Sequence, residues 1–296
     1  MKFNSEQPKI LVVGSSSIDL VLNTEKYPQA NETVMAVRSE TFFGGKGANQ
    51  AVGTARLGAN TMFIGCVGMD PYGQQILRNL VDQNVNVGFV HEDIDVATGT
   101  AYVTASGGKN AIVVVPSANH RLQSEHLENP DKFFSTADLV LVQLEIPMNV
   151  VETVYEKCKK YGTKLGIYAA PAHKIAPEIL DYATFIVLKS NDLSVIFDED
   201  TKDEVLKKYP NKIFLRDDTN STVYYNGSEM RFYRNDPKEM PNKMGMGDAF
   251  TSGFSVAYCH GNEIDDCVKF GNDVSLKVSK KRGSQNGLPY LKDFEF

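Results

Sequence analysis

The chain has 296 residues, with 31 basic against 37 acidic side chains for a formal charge of −6. That length carries a large core and sets a prior of roughly two domains, although one continuous α/β sheet also reaches this size. The acidic balance, with no basic tract interleaved with aromatics, argues against nucleic acid as a partner, and no window approaches the roughly 20 apolar residues of a membrane span.

The N-terminal "MKFNSEQPKILVVG" holds only a short apolar run, too short for a signal peptide, so a soluble, cytoplasmic protein is expected. Cys66, Cys158, Cys259 and Cys267 are scattered and lack the paired spacings of zinc sites, so they read as free thiols.

In chain order, Ile10–Val13, Met62–Val67, Leu139–Leu144, Lys164–Tyr168, Phe185–Leu188 and Ile213–Leu215 are mostly continuous apolar runs. They read as strands buried on both faces, as in parallel sheets. Between them, Ala48, Ala51, Val52 and Ala55 follow helical spacing up to Gly58, and Val151, Val154, Tyr155 and Cys158 do so up to Gly162. Phe250, Phe254, Ala257 and Tyr258 continue the pattern to Gly261. Strand–helix alternation of this kind implies a layered α/β fold. Thr33–Phe43 and Thr100–Val115 break it: they are rich in Val, Thr, Phe and Tyr, and Ser106–Asn110 is a hairpin signal. They are expected to form a small antiparallel flap, suited to cover a site or to pair with a second subunit.

Ligands of open α/β sheets bind at the C-terminal strand ends. Asp19 in "GSSSID", Glu145 after "LVLVQL" and Asp248 in "KMGMGDAF" fall there. Each ionised carboxylate accepts from two hydroxyls, so the set points to a polyhydroxylated ligand. "FFGGKGANQA" adds glycines that permit close backbone approach, with Lys46 and Asn49 as donors at a helix start. It is not a Walker A loop, and "GSSSID" lacks the GxGxxG spacing of dinucleotide enzymes. The Gly245–Gly247 turn opening a helix is an anion site by its unpaired N–H groups. A carboxylate at that spot is either a helix cap or a base beside the anion.

"FFGGKGANQA" and "GMGDAFTSGF" together resemble the two signature regions of the ribokinase-like carbohydrate kinases, the PfkB family. The likeness runs nearly end to end through "GSSSID", "ARLGA", "FIGCVGMDPYG", "TGTAYV", "QLEIP", "APA" and "KRGSQNGLP". It implies one ribokinase-like domain over 1–296, a three-layer α/β/α fold with a mostly parallel central sheet. It also implies a β lid from segments near 15–43 and 97–115 that makes a homodimer contact. The implied reaction is transfer of the ATP γ-phosphoryl, with Mg2+, to a sugar hydroxyl. Asp248 is then the base, and the N–H groups of Gly245, Met246 and Gly247 form the hole for developing charge. By the same resemblance Asp19, Gly45, Lys46, Asn49 and Glu145 hold the sugar, Ser190 lies on the nucleotide side, and Asn272 lines the adenine pocket.

Several positions depart from the family pattern. Leu193 stands where the family's Asn-x-x-Glu places its acid, with Asp192 beside it; no metal ligand is assigned. "RDDTNS" at 216–221 replaces a glycine-containing loop, and its two acids are expected to repel phosphates. Asn242-Lys243 replaces the Asp-Thr associated with a monovalent cation, so Lys243 is expected to take that cation's place. Ser17 and Tyr168 replace asparagines, and Tyr168 is expected to stack on the sugar or narrow its pocket. Two other readings follow from these departures: a catalytically weak sugar-binding or regulatory homologue, and a nucleoside kinase with Tyr168 and Phe43 in a wider pocket.

Overall fold

The computed structural model describes residues 1–198, 201–235, 240 and 242–296. The first half of the chain runs β1 (Lys9–Val13), β2 (Ser17–Thr24), β3 (Ala36–Gly44), α1 (Lys46–Arg56), β4 (Asn60–Ile64), β5 (Cys66–Gly68), α2 (Pro71–Asp82), β6 (Val85–Asn86), β7 (His91–Asp93), β8 (Thr100–Ser106) and β9 (Lys109–Val115). It continues through α3 (Asp131–Thr136), β10 (Leu139–Gln143), α4 (Met148–Tyr161), β11 (Leu165–Tyr168), α5 (Pro177–Tyr182), β12 (Phe185–Lys189), α6 (Leu193–Phe197) and α7 (Lys202–Lys208). The last described elements are β13 (Ile213–Arg216), β14 (Thr222–Tyr225), β15 (Met230–Tyr233), α8 (Met246–Cys259) and α9 (Ile264–Val278).

Nine strands form the main sheet in the order β15-β14-β13-β12-β11-β10-β1-β4-β6. Pairing is parallel from β13 to β6 and antiparallel through β14 and β15. The continuous apolar runs are explained by burial on both faces. Along β1, Leu11 and Val13 enter one core while Ile10 and Val12 enter the other, the period-2 alternation of a pleated strand. β10 divides likewise, Val140 and Val142 against Leu139 and Leu141. The first core is closed by residues of α3 to α7 and the second by α1, α2, α8 and α9, which gives three layers.

Local signals set the helix ends. Asp70 caps α2 by accepting from the Gly73 N–H at 2.8 Å, with Pro71 in the first turn. Gly162 ends α4 in the left-handed conformation.

Two expectations are corrected. Met62–Val67 is not one strand: Gly65 separates β4 from β5, and β5 leaves the main sheet to pair with β7. The smaller four-stranded sheet, in the order β3-β2-β8-β9, is antiparallel at its outer pairs but parallel between β2 and β8. A parallel pair needs a long crossover, and α1, β4 to β7 and α2 supply it. The β8–β9 hairpin turns at Gly107 and Gly108, both at positive φ.

Candidate active site

β1 is flanked by β4, which follows it in the chain, and by β10, which arrives much later, so the strand order reverses beside β1. A crevice opens at the C-terminal ends of such strands. Ser15 leaves β1 there and Glu145 leaves β10. The Ser15 Oγ donates to Glu145 Oε2 at 2.5 Å, which bridges the switch point. α1 starts against the same place. Gly45, its cap, adopts φ 84°, and a Cβ there would lie 2.4 Å from Ser16 Cα, so only glycine fits. The Lys46 N–H donates to Glu145 Oε2 at 3.0 Å and its Nζ to Oε1 at 2.7 Å.

These contacts fix the charges. Burial opposes the Lys46 charge, but Glu145 first and Asp248 next more than offset this, so its pKa rises above the usual lysine value. Burial would raise the Glu145 carboxyl, yet Lys46 and Ser15 hold it below its ordinary value. Asp19, on β2, is pushed up to about 6, mainly by burial, with the Ser17 hydroxyl opposing through a 2.9 Å bond.

Asp248 lies in the first turn of α8 and is 5% exposed. Its Oδ2 accepts from Asn49 Nδ2 at 2.9 Å and its Oδ1 from Gln50 Nε2 at 3.2 Å. Burial pushes it up to about 7, while Lys46 pulls it down. Both amides are themselves held. Gln50 Oε1 accepts from Gln143 Nε2 at 2.7 Å, Asn49 Oδ1 from Gln285 Nε2 at 3.1 Å, and Gln285 Oε1 from Asn79 Nδ2 at 2.8 Å. The acid is therefore clamped by an amide network that draws on α1, α2, β10 and the segment after α9. Gln50, Gln143 and Gln285 carry no charge or metal affinity, and their signal in the sequence was only their place inside the motif segments.

A cavity of about 620 Å3 lies above this floor. Asp19, Gly45, Lys46, Asn49, Glu145 and Gly245 line it, with Ser15, Ser17, Asn119, His120 and His173 as further polar groups. Ala101, Val103, Ile112, Val114 and Val115 of the smaller sheet form its apolar wall. Asp248 does not itself line the cavity; it sits behind Asn49, which does. α8 opens at Gly245 in the left-handed conformation, and its first internal bond runs from the Ala249 N–H to Gly245 O at 2.9 Å. The N–H groups ahead of Ala249 thus precede the helical ladder, as an anion site requires. The Met246 side chain is buried in the core and does not line the cavity.

Three more residues were expected at the site. Asn272 is fully buried: its Oδ1 accepts from Arg216 Nη1 at 3.1 Å and Thr222 Oγ1 at 3.2 Å, and its Nδ2 donates to Val268 O. It ties α9 to β13 and β14, and among the described residues it lines neither the cavity above nor the second cleft described below. Lys243, expected to stand in for a monovalent cation near the anion hole, is exposed and donates to the Asp218 carbonyl at 2.8 Å. Tyr168 neither stacks in the cavity nor narrows it. Its ring is buried under α8, and a Cβ on Gly247 would lie 2.1 Å from the Tyr168 hydroxyl. Neither Tyr168 nor Phe43 lines the cavity, which removes the aromatic acceptor wall of the nucleoside reading.

Ser190 is half-buried and lines a second cleft of about 340 Å3, together with Lys202, Thr219, Ser221, Tyr233, Arg234 and Asn235 among others. Of the two acids of "RDDTNS", Asp217 lines this cleft and Asp218 does not. Asp217 Oδ1 also accepts from the N–H groups of Thr219 and Ser221 and the Thr219 hydroxyl, which closes the β13–β14 turn. Among the described residues one trio could hold a metal ion, Cys66, His91 and Asp93 on the β5–β7 pair. Its carboxylate is already committed to the N–H groups of Asp95 and Val96 and to Arg121, and burial pushes the Cys66 thiol up to about 12.

An acid clamped beneath a cavity with a polar floor and an apolar wall, beside an open helix N-terminus at the strand ends of a mostly parallel sheet, is an arrangement suited to a small-molecule phosphotransferase of the ribokinase type. The model of the pfkB family carbohydrate kinases matches residues 7–291. The chain is 35% identical to the ribokinase of Bacillus subtilis over 97% of its own length and 98% of that protein. It is 31% identical to the ribokinase of Lactococcus lactis, covering 96% and 95%. The structure of Arabidopsis thaliana ribokinase complexed with ribose and ATP superposes with a TM-score of 0.86 at 25% identity, over 97% of both chains. The chain belongs to the pfkB family of carbohydrate kinases, and it is a ribokinase-type enzyme that phosphorylates a sugar with ATP.

Proposed function

We propose that the sugar is a pentose or a close relative, held in the cavity by Asp19, Gly45, Lys46, Asn49 and Glu145, with Asp248 as the base. One observation carries this reading: Asn49 faces the cavity on one side and donates to Asp248 on the other, so an alcohol against Asn49 lies beside the buried acid. At neutral pH a carboxylate raised to about 7 is poised between its two forms, which suits proton transfer. Gly245 on the cavity rim brings the open N–H groups of α8 to the same place, where they stabilise charge on the moving phosphoryl. Little else is asked of the protein in such a transfer beyond placement and field.

ATP supplies the phosphoryl group, and the cleft lined by Ser190, Thr219 and Asn235 is the assigned nucleotide side. Its hydroxyls and amides, with the unpartnered Asn235 Oδ1, fit a nucleobase and ribose. Mg2+ would arrive on the phosphates, since the described residues offer no three-ligand cage at α8 and such ions keep several waters. Asp217, on the wall of that cleft, and Asp192, two residues after Ser190, are the candidate carboxylates.

The four-stranded sheet would serve as lid and as the contact with a second copy. β9 is exposed along its whole length, and Ile112, Val113, Val114 and Val115 are 40–65% exposed on an unpaired edge strand. Such an edge favours pairing with another chain. Among the described residues no helix is long and apolar enough to cross a membrane. The test is a panel of pentoses, hexoses and nucleosides assayed for ADP release with Mg2+ and ATP. Turnover on pentoses above the other classes supports the reading, and turnover on nucleosides alone contradicts it.

A further inference from the structure

Arg216 ends β13 and is 2% exposed. Neutral groups hold its guanidinium: Nη1 donates to Thr222 Oγ1 at 3.0 Å and Asn272 Oδ1 at 3.1 Å, and Nη2 to Ser275 Oγ at 3.0 Å and Asn220 Oδ1 at 3.5 Å. The Nε–H has no acceptor. Among the described residues no carboxylate forms an ion pair with it, and Asp217 acts only from a distance. Burial lowers it to about 10, so the group stays charged at neutral pH. A buried cation without a counter-charge is costly, and nothing in the packing of β13 demands one.

Its surroundings give it a direction. The guanidinium carbon lies 4.3 Å from the ring centroid of Phe250 on α8. Ser275, which accepts from Arg216, donates to the carbonyl of Met246 at 2.8 Å, the first residue of α8. Tyr168, whose hydroxyl abuts Gly247, lies within the field of both Arg216 and Asp248. A fixed cation is thus set beneath a helix end that already carries the positive pole of its dipole. Two like electrostatic features have been folded together, and an anion at the turn is what would relieve them.

We infer that Arg216 is a positioning residue of the phosphoryl site: it anchors the first turn of α8 through Ser275, and its buried charge is compensated by nucleotide phosphate bound at that turn. The inference rests on the kinase reading, in which the phosphates meet α8. In the reaction Arg216 touches no reacting atom; it holds the turn in register and biases it toward negative charge.

The test compares Arg216→Gln with Arg216→Lys in the full chain, by calorimetric binding of Mg·ADP and by kcat and the sugar KM. Both variants lose the fork of hydrogen bonds, but only the glutamine loses the charge. The expectation is that Arg216→Gln weakens Mg·ADP at least ~10-fold and lowers kcat ~100-fold, with the sugar KM within ~3-fold. Arg216→Lys should keep its affinity for Mg·ADP within ~3-fold of wild type. Equal losses in the two variants, or wild-type binding by Arg216→Gln, would overturn the inference. Should Arg216→Gln not fold, Ser275→Ala cuts the link to Met246 and keeps the guanidinium charge, which loses one of its acceptors. It should lower kcat ~10-fold while Mg·ADP still binds, and an unchanged kcat contradicts the anchoring role. A wild-type protein that binds Mg·ADP but phosphorylates no sugar would sink the kinase reading, and the binding comparison would still judge Arg216.

Discussion

Replacing Lys46 with methionine removes what is, among the described residues, the one lysine or arginine that lines the cavity, in the midst of Asp19, Glu145 and Asp248. Breaking a buried pair by deleting one partner costs about 3–5 kcal/mol. The two side chains are 27% and 20% exposed, so water recovers part of this and about 2–3 kcal/mol remains. For 296 residues the unfolding entropy is about 0.6 kcal/mol per degree, which converts the loss to a Tm drop of about 3–5 °C. The second effect has a definite sign. Lys46 pulls the Asp248 pKa down, so without it the acidic limb of the rate profile should move up by about one unit or more. Glu145→Gln has the opposite sign, because Glu145 pushes Asp248 up. ADP release between pH 5.5 and 9 and a thermal melt read both effects. A Lys46→Met variant with an unmoved limb and a Tm within one degree of wild type would refute the electrostatic account of the cavity.

For the wild-type enzyme, kcat/KM should rise with pH and level off above about 7, since the base must be ionised to take a proton; a flat profile from pH 5.5 to 8 contradicts that assignment. Stability runs the other way. Asp19 and Asp248 have folded values raised above 3.8, so their contribution is full below about 4 and is lost as pH rises through about 6 to 7, which pH-dependent melts would register. Gly247→Ala places a Cβ 2.1 Å from the buried Tyr168 hydroxyl, so the first turn of α8 must shift. Its kcat should fall about 100-fold or more with a smaller change in sugar KM, and wild-type kcat would show that the turn tolerates displacement. Val113→Asp on the exposed β9 edge should convert a dimer to monomer in sedimentation velocity, and a wild-type protein that sediments as a monomer would remove the proposed contact.

Most of the layered fold was legible because the strands are buried on both faces, which leaves continuous apolar runs in the sequence. The split at Gly65 was not, since "MFIGCV" keeps its apolar character while the chain changes sheets. β2 was hidden for a different reason: it carries Ser17 and Asp19 toward the cavity, and polar residues interrupt the alternation. In the site, charged residues at strand ends announced themselves. The neutral amides that clamp Asp248 did not, because glutamine is common at any surface and only its 0–4% exposure at positions 50, 143 and 285 marks it. Tyr168 was misjudged through position alone, and Arg216 was not singled out. A residue at a strand end can point to the ligand or under the neighbouring helix, and both point under α8.

The account stands on Asp248 accepting the proton of the sugar hydroxyl. Asp248→Asn keeps the size of the side chain and removes the base, so sugar affinity by calorimetry should stay within about fivefold while kcat falls at least ~100-fold. A folded Asp248→Asn enzyme that turns over within tenfold of wild type, or one that keeps its fold and no longer binds sugar, would contradict it.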